Sequence, residues 1–133
     1  MANSPEFIAK RRFISEFRRE EKWRPLREYF AAARSGNEKV VKKHLDAGIS
    51  VNVADPETKS TALHYAAARR GYALLETLSN HPDIDHLVLD GFGRLPSELA
   101  ERFAEDPRTA NLLRTLEAVQ AREQGVTLTF RPW

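Results

Sequence analysis

The chain contains no cysteine and a single methionine in 133 residues. Disulfides are therefore excluded, and so is any thiolate-bound metal cluster. Cysteine-free composition suits a reducing compartment. Long apolar runs are missing too, so no segment is expected to span a bilayer. The first residues lack the apolar stretch of a secretory signal. A cytoplasmic protein is the expectation. Neither sign of charge dominates: 21 Lys and Arg face 19 Asp and Glu, a formal net charge of +2. That is too little to argue for a polyanionic partner, and nucleic acid is not the expected ligand. A Gly-rich phosphate loop, a nucleophile elbow and a zinc-protease helix are all absent. Asp90-Gly91-Phe92-Gly93 places a glycine ahead of the phenylalanine, which rules out the kinase tripeptide. No catalytic residue and no cofactor is expected.

What is present is helical periodicity broken at regular intervals. Val40, Val41, His44 and Leu45 fall on one helical face, and Gly48 is placed to end that helix in a left-handed conformation. Leu74, Leu75 and Leu78 give a second amphipathic segment, preceded by Gly71, which is expected to end the helix before it. Asp106-Pro107 is a strong helix start, with Asp as cap and Pro in the first turn. Leu112, Leu113, Leu116 and Val119 supply that helix with an expected apolar face, and Gly125 its stop. The intervals repeat. Leu63 lies 34 residues after Tyr29 and 32 before Leu95.

The segment Ser60-Thr61-Ala62-Leu63-His64-Tyr65-Ala66-Ala67 resembles the Thr-Pro-Leu-His-x-Ala-Ala signature that opens an ankyrin repeat, whose period is about 33 residues. Tyr29 to Gly36 resembles the inner helix and turn of a preceding unit, and Ile49-Ser50-Val51-Asn52 the family's Ala-Asp-Val-Asn. Gly93-Arg94-Leu95-Pro96 is similar to its Gly-Arg-Thr-Pro, opening a third unit in which Leu95, Ser97 and Glu98 stand where Thr, Leu and His are usual. The finger Pro56-Glu57-Thr58-Lys59 is one residue longer than usual. The resemblance runs from about Leu26 to Val119 and implies an all-α solenoid of stacked helix-turn-helix units. It also implies that Thr61 and His64 fix the turn into the inner helix by hydrogen bonding. The expected organisation is a basic amphipathic capping helix over 1–25, an ankyrin-repeat domain over 26–124 and an extended tail over 125–133.

The two ends each admit two readings. Ser4-Pro5 reads as a helix start, Phe7, Phe13, Ile14 and Phe17 share a face, and Pro25 is expected to end the helix. This helix either caps the first unit or docks on a partner or an anionic membrane surface. Its arginines, with Phe13, Phe17 and Trp23 among them, also make it the runner-up site for nucleic acid. Val126 to Phe130 alternates like a strand. It either lies back on the stack or adds to another chain, which admits a homodimer through the tail or the N-terminal helix.

The resemblance implies a non-enzymatic module that binds a partner protein through its fingers and the concave side of its inner helices. Carried over by position, the finger candidates are Asp55 through Lys59, then Leu89, Asp90, Phe92 and Arg94. The inner-helix candidates are Ala31, Arg34, Ser35, Tyr65, Arg69 and Arg70. Tyr65, Arg69, Arg70, Phe92, Arg94, Glu57, Lys59 and Arg34 carry the expectation, because aromatic and arginine side chains dominate interface energetics. His81, Asp83, Asp85 and His86 crowd one turn, but their spacing matches no zinc pattern, and no metal site is expected.

Overall fold

A computed structural model describes residues 24–128. The expected capping helix therefore lies almost wholly outside the described residues, as does the tail from 129 onward. Among the described residues every regular element is a helix: α1 over 24–35, α2 Glu38–Asp46, α3 Ala62–Ala68, α4 Tyr72–Ser79, α5 Pro96–Arg102 and α6 Pro107–Gln124. They form three hairpins. The inner helix α3 contacts its own outer helix α4 and the next inner helix α5, α2 contacts α4, and α5 contacts α6. Pro25 lies near the start of the described helical segment 24–35, and the helix it was expected to end lies outside the described residues.

One hydrogen-bonded turn recurs in all three hairpins. The N-terminal cap of each outer helix donates its backbone N–H to the inner helix: Asn37 to Ala32 (2.8 Å), Gly71 to Ala66 (2.9 Å) and Asp106 to Ala100 (3.0 Å). The residue just before each donor has a positive φ: Gly36 at 75°, Arg70 at 54° and Glu105 at 49°. This corrects the expected role of Gly71. The left-handed residue that ends the inner helix is Arg70, and Gly71, at φ −78°, caps the outer helix. Arg70 is held there by its own guanidinium, which donates to the Ala104 carbonyl at 2.8 Å. Gly48 takes a positive φ as expected, and Gly125, which ends α6, takes one too. Beyond Gly125, Val126 N donates to Ala121 O at 2.8 Å, closing the Schellman arrangement that ends α6.

The core lies between the helix rows. Tyr29, Phe30, Val41, Leu63, Leu74, Leu78 and Leu113 are essentially inaccessible, and each contributes about 1.5–3 kcal/mol of transfer free energy. Ala32, Ala33, Ala66, Ala67 and Ala100 are buried because neighbouring helices approach closely there. The apolar face expected for α6 is corrected. Leu113 is buried, but Leu112 and Val119 are exposed, and the buried stripe is Ala110, Leu113, Glu117 and Ala121. The reason lies on α5. Ser97, at the place of Leu63, leaves room and two hydrogen-bond donors, and the Glu117 carboxylate fills it.

α6 is also far longer than α2 or α4. Where the first unit turns away, Asn52 donates to Asp83 O and accepts from Asp85 N, both at 2.8 Å. In the third unit the helix simply continues, and Gln120 does the same work. It donates to Ile84 O (2.7 Å) and accepts from His86 N (2.6 Å). The outer helix of the third unit thereby braces the turn after α4.

Candidate functional site

The side of the stack bearing the inner helices and fingers is organised by two buried aspartates, 35 residues apart. Asp55, 2% exposed, uses one carboxylate oxygen to accept from Glu57 N at 3.0 Å. The other accepts from the Tyr65 hydroxyl at 2.8 Å and from Arg34 at 3.3 Å. Asp90 accepts from Phe92 N and Arg94 N, each at 2.9 Å, and pairs with the Arg94 guanidinium at 2.9 Å. Aspartate suits both places because its short side chain bonds to backbone two residues onward. The first finger closes through an Asp55 N to Ser60 O bond and the second through Asp90 N to Arg94 O, one residue fewer. The extra residue expected in the first finger is thereby located.

The fingers are tied to each other and to the helices. Gly91 N donates to Thr58 O at 3.1 Å. A Cβ at Gly91 would stand 2.8 Å from that oxygen, so only glycine allows the approach. Thr58 Oγ1 and the Tyr65 hydroxyl are 2.7 Å apart. Since Tyr65 donates to Asp55, Thr58 donates to Tyr65. Burial, reinforced by the Asp55 carboxylate, raises the Tyr65 pKa, so its hydroxyl stays protonated.

Thr61 and His64 form the turn network implied by the resemblance. The His64 N–H donates to Thr61 Oγ1 at 3.4 Å, and His64 Nδ1 accepts from Thr61 N at 3.1 Å. With Nδ1 accepting, Nε2 carries the proton and donates to the Arg94 carbonyl at 3.0 Å. One neutral ring thus couples the second inner helix to the second finger. Burial lowers its pKa. In the third unit Glu98 takes over the local half of this task, accepting from Leu95 N at 3.0 Å.

The sequence candidates separate into three groups on this scaffold. Arg34, Tyr65, Arg69, Glu57 and Lys59 gather around the first finger. Arg34 lies over the Tyr65 ring at 5.6 Å, Arg69 donates to Arg34 O at 3.2 Å, and Glu57 and Lys59 are exposed on the finger. Phe92 and Arg94 gather around the second. The Arg94 guanidinium lies 4.7 Å from the Phe92 ring centre and 5.0 Å from that of Phe103. Arg70 belongs with neither. Its guanidinium is turned to the carbonyls of Ala104 and Glu105 in the next hairpin. Phe103, 57% exposed, is a member that sequence reading missed. Its signal was its place, 34 residues after Arg69, where each caps the end of its inner helix.

Two concavities flank this scaffold. One of about 220 Å³ opens beside the first finger, lined by Arg27, Phe30, Arg34, Asp55 and Glu57. Another of about 530 Å³ is lined by Tyr72, Asp106, Arg108, Thr109 and Leu112, at the starts of the outer helices α4 and α6. Among the described residues no cluster of His, Asp or Glu is arranged to hold a metal ion. The His81 to His86 turn uses its side chains internally. His81 Nδ1 accepts from Asp83 N at 3.1 Å, Asp85 from Leu87 N at 2.8 Å, and the His86 ring faces Gln120. No described helix is long and apolar enough to cross a membrane.

Known proteins share this pattern. Residues 29–79 match the family model described as ankyrin repeats in many copies. Over 84 residues the chain is 39% identical to diacylglycerol kinase iota of Homo sapiens, a match that covers 62% of this chain and 8% of that protein. The chain therefore spans less than a tenth of that relative's length.

Proposed function

We propose, from the match of residues 29–79 to ankyrin repeats, a protein–protein interaction module, that the chain binds a partner protein across the side built from its fingers and inner helices. Tyr65, Arg34, Arg69, Glu57 and Lys59 form one half of the contact surface, and Phe92 and Arg94 the other. The module works without chemistry of its own, as a non-enzymatic scaffold.

The observation that carries this reading is the pairing of exposure with fixation. Phe92 is 73% exposed, yet its backbone is pinned by Asp90 and its ring is stacked on Arg94. Tyr65 is half-buried, with its hydroxyl held by Asp55 and Thr58. Side chains fixed before binding lose little entropy when a partner arrives. Aromatic rings and guanidinium groups are also the groups that contribute most when desolvated at an interface. Arg70 is assigned a structural part instead, linking the second and third hairpins.

The test is affinity capture from the source cells with the whole chain as bait, in parallel with Y65A/F92A and with L112A/V119A on the opposite helix row. The expected result is a protein retained by the wild type and by L112A/V119A and lost with Y65A/F92A. Retention by Y65A/F92A together with loss on L112A/V119A would move the interface to the outer helices and refute the proposal.

A further inference from the structure

The charge on this docking side is unbalanced. Of the three acids on the two fingers, Asp55, Glu57 and Asp90, two are buried at the finger bases. Asp55 faces Arg34 at 3.3 Å and Asp90 faces Arg94 at 2.9 Å. The outward charges around the first finger are then Arg27, Lys59 and Arg69 against Glu57. None of these three cations forms an ion pair among the described residues. Arg69 bonds only to a carbonyl, that of Arg34.

These cations stand around the two fingers, where the Phe92 ring is 73% exposed. Arg27 stands on the wall of the 220 Å³ cleft, lined otherwise by Arg34, Asp55, Glu57 and the buried Phe30. Lys59 sits where the two fingertips meet, and Arg69 at the end of the helix that carries Tyr65. Resting on the docking reading above, we propose that the partner presents an acidic segment, rich in Asp and Glu, that carries a large apolar side chain as its anchor. An acidic segment meets three uncompensated cations and one repelling carboxylate, whereas a basic segment meets the reverse. Complementary potential of this kind sets partner choice and association rate more than final affinity. The apolar anchor supplies the affinity, against the exposed Phe92 ring.

The experiment is selection of a displayed random 16-residue peptide library on the full chain, followed by titration of the synthesised winners against variants confirmed as folded by circular dichroism. The expected winners combine Asp or Glu with Leu, Phe or Trp. They bind R27E/K59E about tenfold more weakly, since reversing two exposed charges turns weak attraction into weak repulsion, and they do not bind Y65A/F92A. Their affinity also falls as salt is raised. Winners rich in Lys or Arg, or uncharged, that still need Tyr65 and Phe92 would overturn the acidic segment while leaving the docking side in place. Winners indifferent to Y65A/F92A would remove the docking reading itself. Tight binding of single-stranded DNA, lost on R27E/K59E, would replace the acidic peptide by a nucleic acid. Failure to enrich any sequence overturns the acidic segment as well.

Discussion

Glu117 is a carboxylate in a buried stripe made otherwise of Ala110, Leu113 and Ala121, and its removal should stabilise the protein in alkali. The side chain is fully buried on α6, accepting from Ser97 N at 3.1 Å and from Ser97 Oγ at 2.6 Å. Burial pushes its pKa from 4.5 up to about 7, against the two Ser97 donors, which favour the ionised form. A carboxyl whose pKa is raised by folding supports the native state while protonated, and that support is lost as the pH rises through 7. The interval from 4.5 to about 7 corresponds to about 3 kcal/mol between acid and alkaline limits. His64 and His86 act in the opposite sense, because burial lowers both of their pKa values. The wild-type profile alone therefore mixes the contributions. The difference between wild type and E117Q isolates the carboxyl. Glutamine keeps the shape and one acceptor for Ser97. Denaturant titrations at pH 5 and pH 8.5 are expected to show the two proteins within about 1 kcal/mol at pH 5 and E117Q more stable by about 1–3 kcal/mol at pH 8.5. A gap that is the same at both pH values, or a variant that is less stable at pH 8.5, would refute the reasoning.

Three further outcomes follow from the geometry. Gly91→Ala drives a methyl group into Thr58 O and should break the bond between the fingertips, lowering stability by about 1–2 kcal/mol and speeding exchange of the amide at position 91. Glu105→Gly relieves a left-handed residue whose side chain makes no described hydrogen bond, and should raise stability by about 1 kcal/mol; an unchanged melting temperature would deny the strain. For His64, the nitrogen-15 spectrum of the ring at pH 7.5 should show a neutral imidazole with its proton on Nε2, and the stability it contributes should fall away as the pH drops below 6.5.

Much of this architecture was written in local sequence. Thr61 and His64 announce their turn because the two side chains satisfy each other across three residues. Asp106-Pro107 and Gly125 mark both ends of α6 by the same short-range chemistry. What escaped was decided by neighbours remote in sequence. Arg70 accepts a conformation usually left to glycine because a carbonyl 34 residues away holds its guanidinium. Leu112 and Val119 match a helical apolar pattern, yet the buried face of α6 is turned toward Ser97, and only the place of Ser97 in the repeat hints at an acid opposite it. Gln120 braces from the third unit the turn that Asn52 braces from the first, from a helix in place of a loop. Within the candidate site, the repeat pattern located the fingers and Tyr65. It did not disclose that Asp55 and Asp90 are the fixed points around which the exposed rings and guanidinium groups are arranged.

The claim on which the rest depends is that a partner docks on the fingers and inner helices, which hydrogen exchange of the whole chain with and without its captured partner measures directly. Protection should rise over 55–60, 65–69 and 90–94 and stay unchanged along the exposed residues of α4 and α6. Protection confined to the outer helices, with the fingers exchanging as before, would contradict it.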